Sequence, residues 1–154
     1  MNLVWRQARP SDYDDIIPVL DEWWGGRAMS AMLPRLFFDH FSATSLVATD
    51  DEAIVAFIVA FVSPDDPTVG YVHFIGVDPH QRGRGLGSQA YERVSVLLRD
   101  RGCTRLKAVT SSTNVDSQVF HRALGFTVSD PVPDYDGPGE DRVVLTRSLV
   151  PVEH

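Results

Sequence analysis

The sequence predicts one domain of the α/β or α+β class, with helices on both faces of a mixed central sheet. Three observations predict this class. The 154 residues suffice for one core, with 44% hydrophobic and 23% charged residues. Strand-like and helical apolar patterns alternate in the order β, two α, three β, α, β, α, β, β. No repeat and no long linker divides them, so residues 1–154 are expected to form a single domain.

The first predicted strand and two helices occupy the N-terminal quarter. Leu3–Ala8 alternates loosely and predicts a strand. Ser11 is expected to cap a helix with acidic residues in its first turn, which Gly25-Gly26 ends. Pro18 inside it predicts a kink or a later start. A second helix is expected from Ser30 to Phe41.

Three strands are predicted in the middle of the chain. Ser45–Thr49 and the almost entirely apolar Ala53–Val62 are joined by a hairpin turn, and Val69–Val77 follows a loop rich in proline and aspartate. Because strand side chains alternate between faces, one face of the third strand should carry Tyr71, His73, Ile75 and Val77.

Two helices alternate with strands in the remainder. Helices are predicted over Gln89–Arg101 and from Thr113 or Asn114 to Gly125, with a strand at Arg105–Thr110 between them. The final strands, Phe126–Ser129 and Arg142–Leu149, flank a loop rich in proline, glycine and aspartate. In the later helix, Val115, Val119 and Ala123 are expected to pack inward with Phe120 and Leu124. Its polar face would carry Asn114, Ser117, Gln118 and His121.

Charge and cysteine content restrict the function and the compartment. The net charge is −7, which disfavours a general nucleic-acid or anionic-membrane binder. The N-terminus lacks the form of a signal peptide, and the single cysteine, Cys103, cannot form an internal disulfide. These features favour the cytoplasm. Cys103 is interpreted as structural. No His/Cys spacing predicts a metal site.

The stretch from Val77 to Ser88 is the most informative in the chain. It joins the end of a predicted strand to the start of a helix through three alternate glycines interleaved with Arg82 and Arg84. The first N–H groups of a helix have no intrahelical acceptor, and the helix dipole adds positive character there. Glycine permits close backbone approach, and arginine supplies forked donors. We call this stretch the elbow and predict that it binds an anion.

Two other glycine-rich motifs fit this stretch less well. A phosphate-binding P-loop requires Gly-Lys followed by Ser or Thr, which the elbow lacks. Gly85–Ala90 matches the short dinucleotide pattern G-x-G-x-x-A. However, that fold expects a carboxylate at the end of the next strand, and Val109-Thr110-Ser111 offers none.

Two separated motifs resemble the GNAT superfamily of N-acetyltransferases. Gln81-Arg82-Gly83-Arg84-Gly85-Leu86-Gly87 is similar to the phosphate-binding signature of that superfamily, and Val77-Asp78-Pro79 resembles the usual entry to it. Downstream, Asn114 and then Phe120–Phe126, which ends in Leu-Gly-Phe, resemble a second family motif. The predicted order of elements also matches, so the resemblance covers essentially the whole chain.

This resemblance implies a coenzyme A site. The backbone of Ile75 and Val77 would pair with the pantetheine arm, where the strands splay apart. Asn114 would bond the cofactor near its thiol end, although it also fits a simple helix N-cap. The pyrophosphate would be held at the elbow by Arg82, Gly83, Arg84, Gly85, Leu86, Gly87 and Ser88.

The resemblance also identifies two positions where this chain departs from the family pattern. His73 stands where many members have a Glu that acts as base or orders a water, and a histidine is a reasonable base near neutral pH. His121 stands where the usual general acid is a Tyr. Either histidine could instead be structural, and His121 could contact the cofactor.

The implied activity is direct acetyl transfer from acetyl-CoA to an amine of a small molecule or peptide. A catalytically silent acyl-CoA-binding or sensor module is the alternative, because the usual Glu and Tyr are absent. The acceptor is expected between the first two helices and the loop 130–141. The sequence leaves the oligomeric state open, with a homodimer as one alternative. Residues that could line the acceptor site or simply be structural are Trp23, Trp24, Phe37, Phe38, Asp130, Asp134, Tyr135 and Asp136.

Overall fold

A computed structural model describes residues 2–150. Its strands form a seven-stranded, mostly antiparallel sheet in the order β1-β2-β3-β4-β5-β7-β6, which confirms the predicted fold class and element order. The strands are β1 (Leu3–Gln7), β2 (Leu46–Asp50), β3 (Ala53–Val62), β4 (Val69–Val77), β5 (Arg105–Ser111), β6 (Thr127–Val128) and β7 (Arg142–Ser148). The helices are α1 (Asp12–Trp23), α2 (Leu36–Phe41), α3 (Leu86–Asp100) and α4 (Val115–Ala123).

The chain divides into two compact units, of which the first comprises residues 1–61 and 72–98. In this unit β1, β2 and β3 pair antiparallel, and the register between β2 and β3 shifts after Ala48, where β3 carries one extra residue, Val55. Six consecutive residues of β3, from Val55 to Ala60, are buried, as its apolar sequence predicts. One core cluster of this unit consists of Ala8, Ile16, Leu20, Trp23, Leu33, Phe38, Val47, Phe57, Val59 and Phe74.

The second unit comprises residues 62–71 and 99–154, described as far as residue 150. Here β5 pairs antiparallel with β7 along its whole length, and the short β6 adds to the other edge of β7. Leu106 and Leu145 are fully buried on these strands. The Thr104 N–H donates to the Thr68 carbonyl at 2.7 Å, which ties the start of β4 to the start of β5.

Two local predictions in the N-terminal region are wrong. Ser11 makes no side-chain cap to α1, where instead the Asp12 carboxylate accepts the Arg9 N–H at 2.7 Å. The expected helix from Ser30 to Phe41 is broken into a 3₁₀ turn, Ser30–Met32, and α2. Pro34 explains the break, because proline disfavours a helical conformation in the residue before it, and Leu33 has φ −128° and ψ 69°. Helix α1 itself runs through Pro18 without interruption.

The two later helices also differ from expectation. Helix α3 begins at Leu86, three residues earlier than predicted, so its first turn belongs to the elbow. In α4 the predicted inward face is wrong, because Val115 and Val119 are 63% and 58% exposed while His121 is only 4% exposed. None of the helices within residues 2–150 is long and apolar enough to cross a membrane.

Candidate functional site

The elbow begins with a short structured turn after β4. The Asp78 N–H donates to the Val55 carbonyl at 2.9 Å, which keeps the end of β4 beside β3. The Asp78 side chain then accepts the His80 N–H at 2.9 Å and caps a 3₁₀ turn over Pro79–Gln81. Asp78 and Pro79 therefore fix the direction in which the chain enters the glycine segment.

The glycine segment turns the chain from this 3₁₀ turn into α3. Gly83 and Gly85 have φ angles of +88° and +72°, a region that disfavours other residues. The first hydrogen bond of α3 runs from the Gln89 N–H to the Gly85 carbonyl at 3.0 Å. The N–H groups of Leu86, Gly87 and Ser88 therefore precede the intrahelical ladder and can receive an anion. Leu86 is 2% exposed, which fixes the helix start in a core cluster of the first unit.

The two elbow arginines have different environments. Arg84 donates to the Asp50 carboxylate of β2 at 3.0 Å and to the Gln81 amide oxygen at 2.5 Å. The pKa of Asp50 is lowered by the Asn2 N–H and by this guanidinium. Arg82 is exposed, and no ion pair within residues 2–150 involves it. Of the two side chains, Arg82 is thus the one available to a bound anion.

A second group of contacts holds the elbow from the side of α3. The Gln89 amide donates to the Arg84 carbonyl at 3.3 Å, and its oxygen accepts the Trp5 indole N–H at 3.0 Å. Together with the Arg84–Asp50 pair, these bonds connect the elbow to β1 and β2. The elbow is therefore organised before any ligand binds, which reduces the entropy cost of binding.

His73 lies half-buried on β4 in the first unit. Its ring stacks on Phe37 of α2 with a centroid separation of 3.9 Å and an interplanar angle of 7°. Its Nε2 lies 2.6 Å from the Met32 carbonyl oxygen. Burial lowers the pKa of His73, and the hydrogen bond to Met32 opposes this shift without cancelling it. The neutral ring is thus the dominant form at neutral pH.

The remainder of β4 follows the predicted alternation. Val72, Phe74 and Gly76 are buried, whereas His73, Ile75 and Val77 are partly exposed. The three residues assigned to the base and to the pantetheine arm therefore share the accessible face of the strand. Gly76 lies on the other face, where an added Cβ would be 2.5 Å from a ring carbon of Phe57.

The remaining predicted site residues belong to the second unit. Asn114 is the N-cap of α4, and its side-chain oxygen accepts the Ser117 N–H at 3.1 Å. The cap interpretation is confirmed, and the amide N–H₂ group of Asn114 is not used by this cap.

His121 is buried among aromatic rings, contrary to the expected polar face. Phe120 and Phe126 meet its ring edge-on, at centroid distances of 5.2 and 5.1 Å. Its Nδ1 lies 2.7 Å from the Ser117 carbonyl oxygen, so Nδ1 carries the proton. Burial lowers its pKa despite this bond. A neutral imidazole is a poor proton donor, so this environment disfavours His121 as a general acid.

Tyr71 is a polar residue of the β4 face that received no role from the sequence. Burial, the nearby Tyr135 and the Asp136 carboxylate raise its pKa to about 12. Such a phenol stays protonated and suits hydrogen-bond donation, but it is too weak an acid to protonate a thiolate efficiently. The strand alternation placed Tyr71 on this face, and no sequence signal indicated its acidic neighbour.

The loop 130–141 is held by its own carboxylates. Arg142 of β7 donates to Asp136 at 2.8 Å and to Glu140 at 3.2 Å. Asp134 accepts the Gly139 N–H, and Asp141 accepts the Asp134 N–H. Two of the three aspartates considered for attracting a cation thus already have partners, Asp134 in the loop and Asp136 on β7. In the part of the chain that the structure describes, no cluster of His, Cys, Asp and Glu could hold a metal ion.

A family model described as the acetyltransferase (GNAT) family matches residues 4–126. The chain belongs to the GNAT acetyltransferase family, as its two motifs indicated.

Among curated relatives, the chain is similar to the L-2,4-diaminobutyric acid acetyltransferase of Halalkalibacterium halodurans. The two are 33% identical over 88 residues, which are 56% of this chain and 46% of the relative. The chain thus spans about half the length of the curated relatives it matches first.

Two solved structures show the same fold. A GNAT-family protein from Desulfovibrio desulfuricans superposes with a TM-score of 0.83 at 21% identity, covering 97% of this chain and 100% of the other. The diaminobutyrate acetyltransferase of Paenibacillus lautus, solved with L-2,4-diaminobutyric acid and coenzyme A, superposes with a TM-score of 0.75 at 17% identity, covering 99% of each chain.

Proposed function

We propose that this chain is an acetyl-CoA-dependent N-acetyltransferase that transfers an acetyl group directly to a primary amine. The observation that carries the proposal is the elbow, where the left-handed glycines and the first-turn N–H groups of α3 adjoin Arg82, an exposed arginine that forms no ion pair within residues 2–150. This donor set suits a pyrophosphate. Membership of the acetyltransferase family supports coenzyme A as the source of this pyrophosphate.

In this proposal the cofactor contacts fall on the elbow, on β4 and on the start of α4. Arg82, Gly83, Gly85, Leu86, Gly87 and Ser88 hold the pyrophosphate, and Arg84 shapes the loop through Asp50. The backbones of Ile75 and Val77 pair with the amide groups of pantetheine. Asn114 offers its N–H₂ group to the cofactor while its oxygen caps α4.

When bound, acetyl-CoA supplies a thioester whose C–S bond breaks as the acceptor C–N bond forms. His73 removes the proton that the attacking amine must lose, since a protonated amine has no lone pair. The low pKa of His73 keeps it unprotonated and ready to act at neutral pH. The departing thiolate, with a thiol pKa of about 8.5 by analogy with cysteine, takes through water the second proton, which the nitrogen releases as the amide forms.

The acceptor class rests on the relatives. The relative from Halalkalibacterium halodurans and the structural neighbour from Paenibacillus lautus carry names that specify diaminobutyrate as substrate. L-2,4-Diaminobutyric acid is therefore the first acceptor to test, followed by other small diamines and by peptides with free N-termini. We propose the cytoplasm as the site of action, as the composition favours.

The proposal is tested by measuring thiol release from acetyl-CoA with this panel of amines, alongside direct calorimetric binding of coenzyme A. Turnover above background with any amine, together with a mass increase of one acetyl group in that amine, supports the enzyme. Tight coenzyme A binding without turnover on any amine supports the silent binding module instead. Failure to bind coenzyme A contradicts both functions.

A further inference from the structure

The hydrogen bond between His73 and Met32 determines which ring nitrogen carries the proton. A backbone carbonyl oxygen only accepts hydrogen bonds, so at a distance of 2.6 Å the Nε2 atom of His73 must be the donor. In the neutral imidazole the other nitrogen then carries the lone pair. The basic atom of His73 is therefore Nδ1.

The Met32 carbonyl is held on both sides by contacts within the first unit. Before it, Asp21 of α1 accepts the N–H groups of Met29 and Ser30, each at 2.8 Å. After it, the fully buried Leu33 fixes the end of the same 3₁₀ turn in the core. The carbonyl that accepts the hydrogen bond from His73 is thus part of a turn anchored at each end.

The Phe37 ring limits the orientation of the imidazole. The two rings are nearly parallel and 3.9 Å apart, and Phe37 also packs against Phe41 at 5.7 Å. Stacking restrains rotation of the imidazole out of this plane, and rotation within it is restrained by the bond to Met32. The aromatic face also removes water from one side of His73, which favours its neutral form.

We propose that Met32 and Phe37 are positioning residues, which fix His73 as the Nε2–H tautomer and thereby make Nδ1 the atom that accepts the proton of the amine. The role of His73 as base rests on the proposed function, whereas the tautomer does not. Asp21 supports the arrangement by holding the turn that carries the Met32 carbonyl.

Long-range ¹H–¹⁵N NMR spectra of the ¹⁵N-labelled 154-residue chain test the tautomer without any substrate. Protonated and unprotonated ring nitrogens give separate signals, and comparison with His73→Gln assigns the set that belongs to His73. We expect a protonated Nε2 and an unprotonated Nδ1 at pH 7.5, with a titration midpoint below about 6.5. A protonated Nδ1 at this pH, or a midpoint at or above 6.5, overturns the proposal.

Variants of Phe37 test positioning. Phe37→Leu removes the stacked ring, so the titration midpoint of His73 should rise towards pH 6.5. The midpoint of the acid limb of the kcat profile should rise by the same number of pH units. Phe37→Tyr retains the ring and should leave both values unchanged. Leu36→Ala is the matched control, since Leu36 lies on the same helix and is 47% exposed. It should alter neither titration.

The outcomes separate this inference from the proposed function. The expected tautomer without turnover on any amine leaves the tautomer assignment intact and contradicts only the enzyme. If Phe37→Leu turns over but the acid limb of its kcat profile does not follow the His73 midpoint, the positioning role is overturned. That result does not contradict the acetyltransferase activity. A changed folding stability alone would move neither the ring-nitrogen signals nor the pH dependence of kcat.

Discussion

Arg84 donates to the Asp50 carboxylate at 3.0 Å, whereas Arg82, two residues earlier, is exposed and belongs to no ion pair within residues 2–150. The left-handed glycine at position 83 separates them. One arginine therefore serves the architecture of the elbow, and the other remains available to a ligand. This division could not be seen in the sequence, where both stood in the same motif.

Arg82→Ala should weaken coenzyme A binding about 10-fold and leave the free energy of unfolding within about 0.5 kcal/mol of the wild type. The lost contact is charge-assisted, so the binding defect should shrink as the salt concentration rises. Calorimetric titration and urea unfolding provide both values. Arg84→Ala is the matched control, because it should lower stability as well as affinity. Unchanged coenzyme A affinity in Arg82→Ala would exclude this arginine from the pyrophosphate site.

His73→Ala should lower kcat by about 10²- to 10⁴-fold, the usual contribution of a general base, while coenzyme A affinity stays within about twofold. In the wild type the midpoint of the acid limb of kcat should lie below pH 6.5. The reason is that burial lowers the pKa of His73, so that most of the imidazole stays unprotonated as the pH falls to 6.5. Steady-state rates between pH 5 and 9 measure both effects.

His40→Ala is the control for that experiment, since His40 is an exposed histidine near the end of α2. Its kcat and pH profile should match the wild type. A wild-type rate in His73→Ala would remove His73 from the mechanism and leave water to accept the proton that the amine loses.

Much of the fold followed from the sequence because its signals are local. Alternation in β4, the apolar run of β3 and the glycines of the elbow each determine structure over a few residues, and each agrees with the structure. Pro34 is also a local signal, and it explains why the helix expected at 30–41 is divided. The buried face of α4 could not be found in this way. The valines at helical spacing predicted the wrong face, and a single histidine gave no signal for the face that is buried.

The contacts that define the candidate site are mostly long-range. The Met32 carbonyl bonds His73 across 41 residues, and Arg84 reaches Asp50 across 34. A backbone carbonyl has no residue-type signature, so no motif could have indicated Met32. The pairing of Arg84 rather than Arg82 depends on the turn at Gly83, which only the folded chain defines.

Asp12→Asn should lower the free energy of unfolding at pH 7 by about 2 kcal/mol, because it removes a charge-assisted pair. Asp12 is 3% exposed and receives both guanidinium nitrogens of Arg6, at 2.7 and 2.9 Å. Burial alone would raise the pKa of Asp12, but the Arg6 and Arg9 contacts lower it overall.

A carboxylate with a lowered pKa stabilises the fold above its unfolded pKa of about 3.9 and loses this effect as the pH falls through the folded value. The stability difference between wild type and Asp12→Asn should therefore shrink below about pH 4. Asp14→Asn is the matched control, since its pair with Arg35 is largely exposed and should contribute little to stability. Denaturation at several pH values distinguishes them, and a constant difference at all pH values would contradict the assignment.

Gly76→Ala should destabilise the protein by about 1 to 3 kcal/mol through overpacking. The new Cβ would lie 2.5 and 2.7 Å from two ring carbons of Phe57 and 3.2 Å from Trp24, and the Phe57 ring is fully buried. The double variant Gly76→Ala with Phe57→Leu should lose less stability than the sum of the losses in the two single variants. Strict additivity in chemical denaturation would show that the ring does not obstruct the methyl group.

His121→Ala should lower the free energy of unfolding by about 2 to 4 kcal/mol, because it leaves a cavity beside Phe120 and Phe126 and removes the donor to Ser117. The kcat of the folded fraction should change less than about threefold, since a neutral, buried imidazole is a poor acid. If His121 instead protonated the thiolate, the basic limb of the kcat profile would disappear in this variant. Comparing that limb in the wild type and the variant, at a temperature where both are folded, decides between packing and catalysis.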